Sequence, residues 1–360
     1  MSASNPIPPA RAWADIDLGA LVANARTVLS VSGSRLLPMV KANAYGIGAA
    51  EATRALEPLD PWGYGVVAVE EGVALRRSGI RRPIIVFGPV TDEGADACMH
   101  DDLRPVIGDL EALRRWRARG DRPFHVEIDT GMARLGLPWR DRELLGEAGR
   151  LLISAHGWEG IFTHFHSADT DLESVVTQWD RLNTVVNSLP RRPAMVHAAN
   201  SAAALQGARF AGDLVRPGIF LYGGAAGART PETVVRLRAP VVATRRLAPG
   251  DTVSYSATWR AARPTTVVTI AAGYADGVPR SLGGKGSVEI AGAVHPIAGR
   301  VTMDFTMVDV GDADPPIGTT ATFFGGAISL DAQAAAAGTI SYELLTGLGP
   351  RVSRRYGGNG

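Results

Sequence analysis

From Leu36 to about Gly223, short apolar, β-branched runs alternate with amphipathic stretches, and this alternation limits the fold more than any other feature. The runs are LLPMV (36–40), YGVVAV (64–69), IIVF (84–87), PVI (105–107), FHVEI (124–128), EGIFTH (159–164), AMVHAA (194–199) and LVRPG (214–218). Helical patterns lie between them, clearest at 70–79, 109–119 and 172–188. Strand alternating with helix predicts a parallel sheet of the α/β class, and eight such units predict a closed (β/α)8, TIM-like barrel. An open doubly wound sheet is the alternative, but no GxGxxG follows the first strand to mark a dinucleotide site.

After about residue 236 the texture changes. APVVATRRL, TVSYSATW, TTVVTIAAG, SVEIAGAVHPIAG and FTMVDVG are β-rich and separated by Gly, Pro and Asp turns. The expectation is a barrel domain over 11–235 and a mostly-β domain over 236–360, ending in a short helical stretch at 330–337 and a basic tail. The opening ARAWADIDL alternates like a strand, so residues 1–16 could join the β domain. Asp17 then reads as the N-cap of a helix at 18–30.

Composition narrows the function classes. Thirty-seven basic against 36 acidic side chains leave no strongly basic patch, which argues against nucleic acid. The cluster Arg114–Arg119 reads as a solvated helix face. Cys98 is the only cysteine, so a disulfide framework and a cysteine-based zinc cage are excluded. The amino terminus lacks the basic and apolar runs of a signal peptide, and no apolar run reaches the ~20 residues of a membrane span. A cytoplasmic enzyme without a membrane partner is the expectation.

Active sites of such barrels lie at the C-terminal ends of the strands. There the chain places Lys41, Arg134 in DTGMARLG, His164 and His166, Asn200 and Ser201, and Arg216 with Gly218. The seventh and eighth loops are where these barrels commonly bind phosphate through backbone N–H groups, and NSAAALQ and RPGIF offer a hydroxyl and a close backbone approach. Taken singly, each residue has a bland reading: a surface lysine, ion-paired arginines, a satisfied core histidine. Their joint placement at one barrel mouth favours a phosphorylated aldehyde cofactor held by a lysine.

At this point the motifs resemble those of a known family. VKANAYGIG resembles the cofactor-lysine signature of the alanine racemases, and THFHSAD, HAANSAA, RPGIFLYG, VSYSATW, GYADGVPR and GRVTMDFTMVDVG resemble further family segments in the family's order. The resemblance covers nearly the whole chain. It implies pyridoxal 5'-phosphate as cofactor, an amino acid as substrate, D-alanine biosynthesis and a homodimer with shared active sites. It also implies that Lys41 carries the cofactor and acts as the base on the D face, while Tyr255 acts on the L face from the other subunit. Tyr45, Ser201, Gly218, Ile219 and Tyr356 would surround the phosphate. His164 would stack near the ring, Arg216 would face its nitrogen, and Arg134 and Met303 would hold the substrate carboxylate, with Tyr274 and Tyr342 narrowing the entrance. Arginine opposite the ring nitrogen favours racemase over decarboxylase, because a guanidinium has only donors and leaves that nitrogen unprotonated.

Glu127 stands where many members carry a carbamylated lysine, Ile47 where histidine is common, Ser256 where glycine is common, and Pro350 near a usual gate tyrosine. These departures keep open a racemase acting on serine or basic amino acids. Two rivals lie outside the class. The first is a metal-dependent barrel hydrolase using His164, His166 and His197; the second is a non-catalytic cofactor carrier, against which Tyr255 argues.

Overall fold

The computed structural model describes residues 11–357, in two compact units. The larger, comprising 21–221 and 225–231, contains eight parallel strands: Arg35–Leu36, Tyr64–Val66, Ile84–Val86, Arg104–Ile107, Phe124–Asp129, Trp158–Phe162, Met195–His197 and Leu214–Val215. Each pairs in parallel with the next from the second to the eighth, and the eighth pairs with the first. A parallel bridge between Met39 and Gly65 joins the first to the second. The ring is closed, and the chain forms the (β/α)8 barrel that its alternation predicts. Leu37, Ile85, Val106, Phe162, Met195 and Leu214 pack together as its apolar filling.

The helices start where the sequence marks them. Leu110–Arg119 and Leu172–Ser188 open on Asp109 and Asp171, whose carboxylates accept from the backbone N–H of Ala112 and Ser174. Each cap satisfies a donor that the first turn leaves orphaned. Among the described residues no helix is long and apolar enough to cross a membrane.

The second unit comprises residues up to Ala20, Tyr222–Gly224 and Glu232 onward. Its sheet runs in the order Ala293–Pro296, Ser287–Ile290, Thr320–Phe324, Val235–Leu247, Trp13–Asp17, Ser353–Gly357. The long strand Val235–Leu247 passes a register shift near Val241 and pairs onward with Thr265–Ile270, which pairs with Thr306–Gly311. Of the opening segment, 1–10 lie outside the described residues. Trp13–Asp17 is a strand in this sheet, and Asp17 accepts from Ala20 N at 2.9 Å to cap helix Leu18–Ser32.

Three details differ from the sequence reading. TVSYSATW is not one strand: Thr252–Val253 and Trp259–Arg260 pair around a turn in which Ser254, Ser256 and Ala257 have positive φ. Thr320–Phe324 is a further strand. The basic tail is instead structured, with a helix at Ser341–Thr346 and a strand at Ser353–Gly357 that pairs in parallel with Trp13–Asp17.

Candidate active site

Lys41 leaves the first barrel strand into a turn of unusual hand. Ala42, Asn43, Ala44 and Tyr45 all have φ between 50 and 54°, the left-handed region that costs an L-residue roughly 1–2 kcal/mol each. Asparagine tolerates this region better than most L-residues, and alanine, unbranched at Cβ, better than valine or isoleucine; backbone bonds Ala44 N to Val40 O and Gly46 N to Ala42 O, each 2.8 Å, close the turn. Asn43 Oδ1 accepts from Ala49 N at 2.9 Å. Glu71 Oε1 accepts from Ala42 N at 2.6 Å, while its other oxygen accepts from Val67 N and Ala68 N. Glu71 thereby ties the lysine turn to the start of helix Val69–Arg77. The sequence reading did not single it out.

Lys41 is held below the ordinary lysine range, first by burial and then by the positive charge of Arg134, with Arg216 adding to this and Glu71 opposing it. His164 is pushed down to about 3 by burial, with Arg216, Arg134 and Lys41 contributing, so it is neutral at physiological pH. Three positive charges thus gather at the mouth, Lys41, Arg134 and Arg216, with the neutral His164 among them. Arg134 sits on a loop pinned by Asp129 Oδ1, which accepts from Gly131 N and Ala133 N at 2.9 and 3.0 Å. Glu127 is buried, and burial raises it above the usual carboxylate range although the charges of Arg216 and Arg134 work to lower it.

Arg216 follows the eighth strand and is 4% exposed. Burial pushes it down to about 10, so it stays charged at neutral pH. Nη2 donates to the carbonyls of Thr163 and Ala198 at 2.8 and 2.9 Å and lies 3.4 Å from His164 Nδ1. Nη1 lies 2.8 Å from His197 Nδ1. The guanidinium carbon lies 5.0 Å from the centre of the Phe162 ring and 5.8 Å from that of Phe87.

A second feature lies beside these charges. Asn200 caps the short helix Ser201–Ala204 through Ala203 N, which is its role here. The buried Ser201 hydroxyl accepts from Gly218 N at 2.9 Å and Phe220 N at 3.4 Å, fixing the backbone just before and within the 3-10 turn Ile219–Tyr222. A Cβ at Gly218 would lie 2.3 Å from the Tyr45 hydroxyl oxygen. Tyr45, Ser201, Gly218 and Ile219 therefore form one cradle that only glycine leaves open. The hydroxyls of Tyr45 and Ser201 are groups that suit a phosphate.

The remaining predicted residues belong to the second unit. Tyr255 is 69% exposed in the turn between Thr252–Val253 and Trp259–Arg260, where Ser254 Oγ donates to Arg300 O at 2.7 Å. Met303 and Tyr274 neighbour one another: Tyr274 N donates to Thr302 O at 3.0 Å and Ala275 N to Met303 O at 3.1 Å. Tyr356 stands opposite Ile16 in the sheet. The histidines of the metal reading are engaged otherwise. His166 Nδ1 lies 2.7 Å from Ser167 Oγ, His197 lies between Arg216 and His125, and among the described residues no three or more His, Cys, Asp or Glu are grouped to hold a metal. A hollow of about 770 Å³ lies away from the mouth, between helices Arg142–Leu152 and Leu172–Ser188.

A closed (β/α)8 barrel with a buried arginine and a desolvated lysine at the C-terminal ends of its strands, followed in the chain by a β domain, defines the class: two-domain α/β barrel proteins with a strand-end lysine. Comparison with known proteins narrows it. Residues 16–226 match the family model "Alanine racemase, N-terminal domain" and 234–356 match "Alanine racemase, C-terminal domain". The chain is 38% identical to the alanine racemase of Acidiphilium cryptum over 94% of its own length and 97% of the relative's. Identity to the alanine racemase of Deinococcus radiodurans is also 38%, covering 96% and 99%. Among solved structures, alanine racemase from Bartonella henselae with covalently bound pyridoxal phosphate superposes with a TM-score of 0.90 at 31% identity, covering 97% of this chain and 100% of that one. The chain belongs to the alanine racemase family.

Proposed function

We propose that the protein interconverts L- and D-alanine with pyridoxal 5'-phosphate, as a homodimer with shared active sites in the cytoplasm. The observation that carries this is the meeting of Lys41 with the Tyr45–Ser201–Gly218 cradle at one mouth, in a chain that matches both family domains. Tyr45, Asn200, Ser201, Gly218 and Ile219 would hold the phosphate, with Tyr356 of the β domain as a further contributor, and Lys41 the aldehyde carbon. Bound there, the cofactor supplies an electron sink that acidifies the α-proton of an amino acid.

The chain's own groups do the rest. Lys41, with its amine held below the usual range, takes or returns a proton on one face. Tyr255 of a second copy serves the other face; its exposure in the single chain leaves it available. Arg134 and Met303 hold the substrate carboxylate, and Tyr274 lines the entrance. Arg216 offers only donors, so an aromatic nitrogen placed against it stays unprotonated. The neutral His164 gives that ring a flat neighbour without adding charge. Glu127 sets negative charge beside Arg134 and Arg216 when ionised.

Cofactor-loaded protein incubated with L-alanine, followed by chiral chromatography, tests the reading. Approach to an equal mixture of enantiomers is expected, lost in Lys41→Ala and Tyr255→Phe. Retained cofactor without D-alanine, but with product from serine or arginine, would replace alanine by a broader substrate set.

A further inference from the structure

A chain of hydrogen bonds runs through the barrel from its foot to its mouth, and its lower half has no role in the reading above. Arg104 opens the fourth strand and donates from Nε to Glu159 Oε2 at 2.7 Å. That oxygen lies 3.3 Å from His125 Nε2. His125 Nδ1 lies 2.9 Å from His197 Nε2, and His197 Nδ1 lies 2.8 Å from Arg216 Nη1. Glu159 and His125 sit second in their strands, His197 ends the seventh, and Arg216 follows the eighth. Both imidazoles are fully buried.

The ends of the chain fix everything between them. Arg216 can only donate, so His197 Nδ1 must accept, and a neutral His197 then carries its proton on Nε2. That proton is donated to His125 Nδ1, leaving the His125 proton on Nε2, aimed at a carboxylate that can only accept. No other arrangement of protons satisfies all five groups. We propose that Glu159, anchored by Arg104 at the foot of the barrel, sets the tautomers of His125 and His197 and through them fixes the position and polarisation of Arg216 at the mouth.

Glu159 is in this sense a positioning residue, and its bearing on catalysis rests on the reading of Arg216 given above. The electrostatics agree with it. Burial and then Arg216 drive His197 well below its usual range, and burial lowers His125 despite Glu159, so both rings are neutral. Burial works to raise Glu159, but the His125 hydrogen bond and Arg104 outweigh it and keep the carboxylate ionised. Aligned bonds of this kind polarise one another in a low-dielectric interior, so a charge at one end is felt at the other. Groups at the N-terminal face of such barrels ordinarily serve stability alone. The chain gives these ones a route to the chemistry.

The test reads the protons directly. In cofactor-free protein labelled with 15N-histidine, each of the two rings is expected to show one protonated nitrogen, Nε2, and one bare nitrogen, Nδ1, at neutral pH. Glu159→Gln keeps an acceptor oxygen and should preserve this pattern; Glu159→Leu should scramble it at both rings. In loaded protein, Glu159→Leu should lower kcat with the KM for alanine unchanged, and Glu159→Gln should restore kcat. A proton on Nδ1 of either ring in the wild type overturns the proposal, as does an unchanged pattern in Glu159→Leu. So does a loss of kcat in both variants that tracks their melting temperatures. If Glu159→Leu does not fold, the wild-type pattern and Glu159→Gln decide. The expected tautomers in a protein that binds no cofactor would support the chain and overturn the functional reading instead.

Discussion

Replacing Gly218 by alanine isolates the cradle from the rest of the site. The added Cβ would lie 2.3 Å from the Tyr45 hydroxyl oxygen and 2.9 Å from the ring carbon that bears it. Comfortable contact needs about 3.5 Å, so one partner must retreat by more than 1 Å. Tyr45 is 6% exposed and fixed in a left-handed turn, which leaves little room to swing away. Overpacking of this kind costs about 1–3 kcal/mol. If the free protein relaxes by displacing Tyr45 while the ligated protein needs it in place, cofactor affinity falls roughly 5- to 150-fold, at 1.4 kcal/mol per factor of ten. Equilibrium dialysis against pyridoxal phosphate measures it. Tyr45→Phe removes the 2.3 Å contact but also a hydroxyl of the cradle, so the rescue is read in urea titration of the cofactor-free protein, where the double variant should recover part of the stability that Gly218→Ala loses. Binding within twofold of wild type in Gly218→Ala would falsify the argument, and so would a stability loss that Tyr45→Phe leaves untouched.

Other expectations follow from the same contacts. Ser201→Ala orphans the N–H groups of Gly218 and Phe220 and should destabilise the cofactor-free protein by about 1–3 kcal/mol in urea titration. Asp276 is fully buried and accepts from Arg11, Arg351 and Gly273 N at 3.0–3.2 Å. Because both arginines reach solvent, Asp276→Ala should cost about 2 kcal/mol, less than the 3–5 of a wholly buried pair. His164, His125 and His197 are held below their usual range in the folded protein, so between pH 6.5 and, for His164, about 3, the unfolded chain binds more protons. Stability should fall as pH drops through that window, and His164→Gln should reduce the slope by up to about 1.4 kcal/mol per pH unit.

Much of this architecture is legible in the sequence because burial and capping are local signals. The strand IIV at 84–86 is buried throughout and reads as a continuous apolar run, and helix Leu172–Ser188 is bracketed by its Asp171 cap and by Pro190. Thr320–Phe324 was harder to read. Its apolar run is short, and its strand character comes from pairing with Val235–Leu247 and Ser287–Ile290. TVSYSATW misleads because β-branched and aromatic residues favour strands, while Ser254, Ser256 and Ala257 adopt positive φ that no propensity announces. At the site, Lys41, Ser201, Arg216 and Gly218 were visible as strand-end residues. Glu71 was hidden in an ordinary helical first turn. The Arg104–Glu159–His125–His197 chain was hidden because its members lie on four strands and meet only when the barrel closes.

The left-handed turn after Lys41 reverses the usual chirality preferences over one short stretch. Everywhere else in the barrel, glycine loosens a helix and L-alanine favours it. At positions 42 to 44 the backbone has the hand natural to a D-residue. A semisynthetic protein carrying D-alanine at 42 or 44 should hold this turn more readily than the natural chain, and glycine there should be tolerated where valine or isoleucine is not. A library varied across this stretch would therefore be filtered by backbone handedness before side-chain chemistry is sampled at all.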